Sequence, residues 1–222
     1  MHDATSRFSH FRLAIASGVT SSPLSALLAL QRAEEPEVTI AFSEVSSDDL
    51  VKGLRDGRYD AGLSMVGLND LLLQSQPLWT ENLAIAMPLR FPLLDHAKLT
   101  IAELLDYSVF RWPAEICPAL DEMLATLQPL GRQSVQHVTS FEMMALWVAA
   151  GYGVGISVQS RTEHARGWGI STRPLSDGPY EVVTHLQRPN GHAIRWLIGS
   201  SVARCKSPGM AQPDRAPMRC LG

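Results

Sequence analysis

From Phe11 to Met65 the chain alternates between two periodicities, and that alternation limits its fold more than any other feature. "FRLAIAS", Phe11 to Ser17, reads as a strand. The polar turn "GVTSS" leads into "PLSALLALQRAEE", where Pro23 suits a first helical turn and Ser21 or Ser22 an N-cap. Along "EVTIAFSEV", Val38, Ile40 and Phe42 recur with the period of two that marks a strand. "SSDDLVKGLRDG" then reads as a helix capped by Ser46 or Ser47, with Asp48 and Asp49 at the positive end of its dipole and Gly57 as its stop. "YDAGLSMV" is the next strand. Strands joined through helices run parallel with right-handed crossovers, so this run predicts an α/β fold.

The rest of the chain repeats the scheme. Leu83 to Met87 is an apolar strand, and "PLRFPLLDHAKLT" after it is too rich in proline to continue regular structure. Beyond that break come a short helix "TIAELLDY", a strand "SVFRW", a helix "AEICPALDEMLATLQPLG" interrupted early by Pro118, and a strand "RQSVQHV". A helix follows from Thr139, whose hydroxyl with Glu142 reads as a capping box. "PYEVVTHLQR" is a further strand and "GHAIRWLIGSSVARC" a last helix. The expected architecture is two Rossmann-like lobes with a hinge, the chain crossing near Ala84 to Pro88 and again near Val182 to Leu186. Such a body closes around a small ligand between its lobes.

The glycines of "LWVAAGYGVGISV", Gly151, Gly153 and Gly155, invite comparison with a phosphate-binding loop. That loop needs a strand before its glycines and a helix after them. Here the helix comes first, so the stretch reads as a helix, a tight turn and a buried strand.

Several function classes find no support. The chain carries 19 Lys and Arg against 22 Asp and Glu, a net charge of -3, with no basic stripe of the kind that grips nucleic acid. No apolar run has membrane-spanning length, and the first ten residues lack the apolar core of a signal peptide, which points to a cytoplasmic protein with no membrane partner. Three widely spaced cysteines, Cys117, Cys205 and Cys220, suggest neither a disulfide framework nor a zinc knuckle. No two histidines lie at a metal-binding helical spacing, so no metal and no cofactor is expected. "GLSMVG" lacks the glycine that a nucleophile elbow needs two positions after Ser64, and no catalytic residue is assigned.

What remains is binding. Three helix N-termini are preceded by hydroxyl-rich turns: Thr20, Ser21 and Ser22; Ser46 and Ser47; Thr139 and Ser140. All follow strands, and in open α/β sheets the cleft lies at the strands' carboxyl ends. Free N–H groups, dipole ends and hydroxyls make an anion site there, although each turn taken singly reads as an ordinary cap. Arg111, at a strand end between Phe110 and Trp112, either pairs with a ligand carboxylate beside an aromatic wall or snorkels past core aromatics.

The succession "FRLAIASGVTSSPLSALLAL", "EVTIAFSEVSSDDLVKGLRDGRYDAGLSM", "LAIAMPLRFPL" and "TSFEMMALWVAAGYGVGISV" resembles the effector-binding domain of LysR-type transcriptional regulators. Its most telling parts are the pattern Leu54, Gly57, Asp60, Gly62, Leu63 and the helix-Gly-x-Gly-x-Gly-Ile unit. The resemblance implies a type 2 periplasmic-binding-protein-like fold, with 11–87 and 187–204 as lobe I and 88–186 as lobe II. Residues 1–10 become a linker remnant and 205–222 a disordered tail. It implies a ligand pocket lined by Ser17 to Ser22, Ser46 and Ser47, Phe110 to Trp112, Thr139 and Ser140, and Ile156 and Ser157. It further implies a small-molecule effector, a homodimer, a tetramer in the full-length regulator, and DNA contact only through an N-terminal winged helix-turn-helix that precedes this region in the family. A transporter's solute-binding protein and an enzyme or enzyme-regulatory domain on the same scaffold are the alternatives.

Overall fold

Helices and strands alternate through the first third of the chain as the periodicities predict. The computed structural model describes residues 10–19, 21–68, 70–112, 117–127 and 135–191. Strand β1 (His10–Ala16) leads to helix α1 (Ser21–Glu34), then β2 (Thr39–Val45), α2 (Ser47–Arg55) and β3 (Ala61–Ser64). β1 pairs in parallel with both β2 and β3. Its odd positions, Phe11 and Leu13, join the core beneath Leu27 of α1, while Ala14 and Ala16 pack with Leu50 and Leu54 of α2. Leu50 and Leu54 lie one helical turn apart and are 0% and 1% exposed; burying a leucine contributes about 2 kcal/mol. α2 ends as its sequence predicts, on Gly57 at φ 68°. Asp60 then ties β3 to β1, accepting from the backbone N–H of Arg12 at 2.7 Å and from its guanidinium at 2.8 Å. The Asp60 and Gly62 of the sequence pattern therefore have structural duties, since Gly62 lies against the Leu50 side chain of α2.

β4 (Leu73–Pro88) is far longer than the strand expected at 83–87. Pro77 made its first half unreadable as a strand, and the register of the ladder does shift between Pro77 and Trp79. Leu73 to Asn82 pairs with β9 (Glu181–Pro189), whereas Leu83 to Pro88 pairs with β7 (Val154–Val158) and β8 (Ile170–Pro174). The chain thus changes sheets at Asn82 and Leu83, slightly earlier than expected. β9 also lies wholly beside β3 and the first half of β4, so the return crossing precedes Glu181 instead of falling at 182–186. Among the described residues the strand order is β2-β1-β3-β9-β4-β7-β5-β6, with β8 on β4.

The second half holds α3 (Ile101–Leu104), β5 (Val109–Arg111), α4 (Pro118–Leu127), β6 (Val135–His137), α5 (Phe141–Ala149) and α6 (Gln159–His164). Pro118 does not interrupt a helix: it is the first residue of α4, where its missing N–H costs nothing. α6 and β8 were not expected, because α6 has only six residues and is too short to show a helical period. The last helix, the N-terminal linker and the tail lie outside the described residues.

The glycine run is a helix end and a strand start. Gly151 has φ 85°, and the N–H groups of Gly151 and Tyr152 donate to the carbonyls of Val148 and Trp147 at 2.9 and 3.0 Å. That pair of bonds is a Schellman cap. At Gly153 a Cβ would come within 2.1 Å of the Ser108 carbonyl oxygen, the same oxygen that accepts from the Val154 N–H at 2.9 Å. Gly155 clears Met144 of α5. Close approach selects Gly153 and Gly155, and the positive φ of the helix cap selects Gly151.

Candidate functional site

Parallel strands bring their carboxyl ends to one edge of each half of the sheet. β1 delivers Ser17, exposed, whose N–H donates to the Val45 carbonyl at the end of β2 at 3.1 Å. Ser21 and Ser22 open α1; Thr20 and the side chains of both serines lie outside the described residues. Ser46 is the N-cap of α2, accepting from the Asp49 N–H at 3.1 Å, and Ser47 is the first residue of that helix. From the other half, Ser140 caps α5 by accepting from the Met143 N–H at 3.2 Å. Thr139 is exposed and does not cap, which corrects the expected capping box: the helix starts one residue later than its sequence suggests.

Strand alternation decides the fate of the predicted wall. Phe110 and Trp112 of the β5 end point toward α5 and pack with Phe141. Arg111, between them, must point the opposite way. It is 3% exposed and its guanidinium is paired with Asp121 of α4. Its expected role as partner of a ligand carboxylate is therefore not supported; Asp121 already holds that position. The same alternation separates Ile156, which joins the core beside α4, from Ser157, which shares the α5 face with Phe110 and Trp112. Ser157 is 0% exposed and its hydroxyl has no hydrogen-bond partner.

The cation that does stand between the halves is Arg161 of α6, which the sequence reading did not single out. Its guanidinium carbon lies 4.6 Å from the Trp112 ring centroid and 5.4 Å from that of Phe141. Both distances are within cation–π range. One guanidinium nitrogen donates to the Val19 carbonyl at 3.4 Å, reaching across to the turn that follows β1. Its neighbour Ser160 donates to Glu81 of β4, on the part of that strand that still pairs with β9. Burial pushes the pKa of Arg161 below its ordinary value, while the carboxylates of Glu142, Glu81 and Glu44 pull it back up. A half-buried guanidinium on an aromatic bed, over the first residue of α5 and bonded to the turn before α1, is equipped to hold the anionic end of a small molecule.

A surface depression of about 480 Å³ lies on the other side of α6, between the turn at Leu94 and Asp95 and strand β8. Two arginines line it, Arg166 and Arg173, and the second is already bonded to the carbonyls of Leu94, His96 and Thr172. Among the described residues no cluster of three or more metal-ligating side chains occurs, and no helix is long and apolar enough to cross a membrane.

Comparison with known proteins adds the following. The family model described as "LysR substrate binding domain" matches residues 5–206. A "probable cat1 operon transcriptional activator" of Acinetobacter lwoffii is 27% identical over 157 residues, covering 68% of this chain and 51% of that protein. The chain thus spans about half the length of that relative. The solved effector-binding domain of BenM with its effector benzoate superposes with a TM-score of 0.72 at 20% identity, covering 85% of this chain and 86% of the other. The effector-binding domain of QuiR in complex with shikimate gives 0.70 at 16% identity, covering 85% and 90%. At such identities these likenesses concern the fold, the type 2 periplasmic-binding-protein-like one.

Proposed function

The chain belongs to the LysR substrate-binding-domain family, and from that premise we propose that it is the effector-sensing part of a transcriptional regulator, binding a small metabolite between its two halves. The observation that carries this reading is Arg161, which stacks on Trp112 and Phe141 in one half and bonds the Val19 carbonyl in the other. A ligand bearing a carboxylate at this place touches both halves at once, and its higher affinity for one arrangement of them sets the size of the shift it causes. The lining comprises the turn from Ser17 to Val19, Ser46 and Ser47, Phe110 and Trp112, Ser140 and Ser157, with Arg161 as its cation. Benzoate and shikimate, named for the BenM and QuiR domains, are small carboxylates of a size that suits such a cleft.

Binding, and not turnover, is the output in this account. Two copies pair so that closure in each alters the geometry of the whole; β2, at the end of the described strand order with Phe42 54% exposed, offers the surface. DNA is contacted only through a separate N-terminal domain of the complete regulator.

A thermal-melt panel of small carboxylates and amino acids tests the reading. A ligand at about a hundred times its dissociation constant stabilises the native state by about 2.7 kcal/mol. One chemical class raising the melt in the wild type but not in Arg161→Met is the expected result. A rise that survives Arg161→Met places the ligand elsewhere.

A further inference from the structure

The hollow on the far side of α6 holds two side chains of opposite charge in fixed positions. Its volume is about 480 Å³, and its walls are the turn Pro92–Asp95, α6 with the turn that continues it, and β8. Arg173 of β8 donates to the carbonyls of His96 and Thr172, each at 2.9 Å, and to that of Leu94 at 2.7 Å. These bonds staple β8 to the Pro92–Asp95 turn and fix the guanidinium, yet neutral oxygens leave its charge uncompensated. A guanidinium carries more N–H groups than these bonds use. On the α6 wall, the side-chain amide of Gln159 donates to one oxygen of Glu163 at 2.9 Å, which sets that carboxylate in place. Arg166 and Asp95 add a second charge of each sign to the lining. Among the described residues none of these four charged side chains is in an ion pair. The hollow thus presents cations and anions in equal number, and none of them neutralises another.

Charges on an ordinary solvated face swing freely, and ordering them offsets most of what they gain. Here Glu163 and Arg173 are already held, so a ligand that bridges them meets groups in position and binds at a lower ordering cost. A simple carboxylate gains the arginines and meets two like charges. A simple amine gains the acids and meets the arginines. A molecule bearing both charges on neighbouring atoms satisfies both sets, and it enters with no net charge. The volume lies within the range of small-molecule sites, about 300–1,000 Å³.

We propose that this hollow is a second ligand site, selective for a small zwitterion of the α-amino acid type. Glu163 and Asp95 hold its ammonium, and Arg166 with the remaining N–H of Arg173 holds its carboxylate. This assignment does not rest on the cleft being the effector site. The two places are joined by α6, because the short helix that carries Gln159 and Glu163 also carries Ser160 to Glu81 and Arg161 to the Val19 carbonyl.

The test titrates the full 222-residue chain with each common amino acid and, for any that binds, with the acid of the same skeleton lacking the amino group and the amine lacking the carboxyl. Amide chemical shifts locate the binding and give its dissociation constant. The expected result is an amino acid that moves the amides of His96, Ala97, Glu163 and Thr172 and binds on the order of tenfold or more tightly than either relative. Glu163→Gln and Arg166→Met, both at exposed positions where folding is not at stake, are each expected to weaken it by about tenfold. Glu163→Gln leaves the affinity of the amino-free acid unchanged or improved, and Arg161→Met leaves that of the amino acid unchanged. The proposal is overturned if no amino acid moves those amides, if the amino-free acid or the amine binds as tightly, or if both exposed variants bind like the wild type. An amino acid that needs Arg161 and moves the amides around Val19 and Ser47 instead belongs to the cleft; that outcome refutes the hollow and supports the effector-site reading.

Discussion

Replacing Gly153 by alanine tests the reason for the glycine run directly. An ideal Cβ there would lie 2.1 Å from the Ser108 carbonyl oxygen and 2.9 Å from its carbon, both backbone atoms at the entry to β5. Relief requires the start of β7 to move away from β5 by roughly 1 Å, the gap between that distance and an ordinary close contact, and such overpacking costs about 2 kcal/mol. The same movement lengthens the 2.9 Å bond from the Val154 N–H to that carbonyl, adding about 1 kcal/mol. Gly153→Ala is therefore expected to lose about 3 kcal/mol, or roughly 6–12 °C in a domain of this size. Gly151→Ala meets nothing within 4 Å but must hold φ 85°, which costs about 1 kcal/mol. Gly167→Ala, with open space and no positive φ, is the control and stays within about 0.5 kcal/mol. Urea titration of the three variants ranks them. If Gly153→Ala costs no more than Gly151→Ala, the close approach of β7 to Ser108 is not what selects glycine, and the reasoning fails.

Other consequences follow from the corrected site. Asp121→Asn strands the buried Arg111 guanidinium; because the Asp121 side chain is 34% exposed, the cost is at the low end for such pairs, about 2 kcal/mol. Denaturation reads it, and a loss of ligand affinity at unchanged stability would return Arg111 to the binding site. The Glu103 carboxyl is held below the usual glutamate range, first by the Thr100 backbone N–H, then by the Thr100 hydroxyl and His96. A depressed folded-state pKa gives stability that is present above the unfolded value, about 4.3, and is lost as pH falls through the lower folded one. Glu103→Gln should accordingly flatten this acid limb of the stability profile, and an unchanged limb would show that the Thr100 cap does not act on the carboxyl.

The architecture was legible because it is written in periodicity. Val38, Ile40 and Phe42, or Leu50 and Leu54, repeat over enough residues to declare strand or helix, and Gly57 and Gly151 mark ends by a conformation few other residues take. The first half of β4 was hidden by Pro77, which a strand accepts only where its ladder slips. α6 was hidden by brevity. The serine turns were legible as caps, but which hydroxyl does the capping, Thr139 or Ser140, depends on a one-residue difference in where the helix begins. For Arg111 the sequence left two readings open, although it contains a reason to prefer the one without a ligand: if Phe110 and Trp112 face one side of a strand, the residue between them faces the other. Arg161 carries no local signal. Its partners Trp112, Phe141 and Val19 are far away in sequence and meet it only through the sheet.

Hydrogen exchange with and without a stabilising ligand from the melt panel tests the central claim most directly, since the proposed site takes amides from both halves. The account predicts simultaneous protection at the turn after β1 around Val19, at the start of α2 from Ser47 to Asp49, and at the start of α5 from Phe141 to Met143, all lost in Arg161→Met. Protection confined to one half, or centred on the hollow beside Leu94 and Asp95, would contradict it.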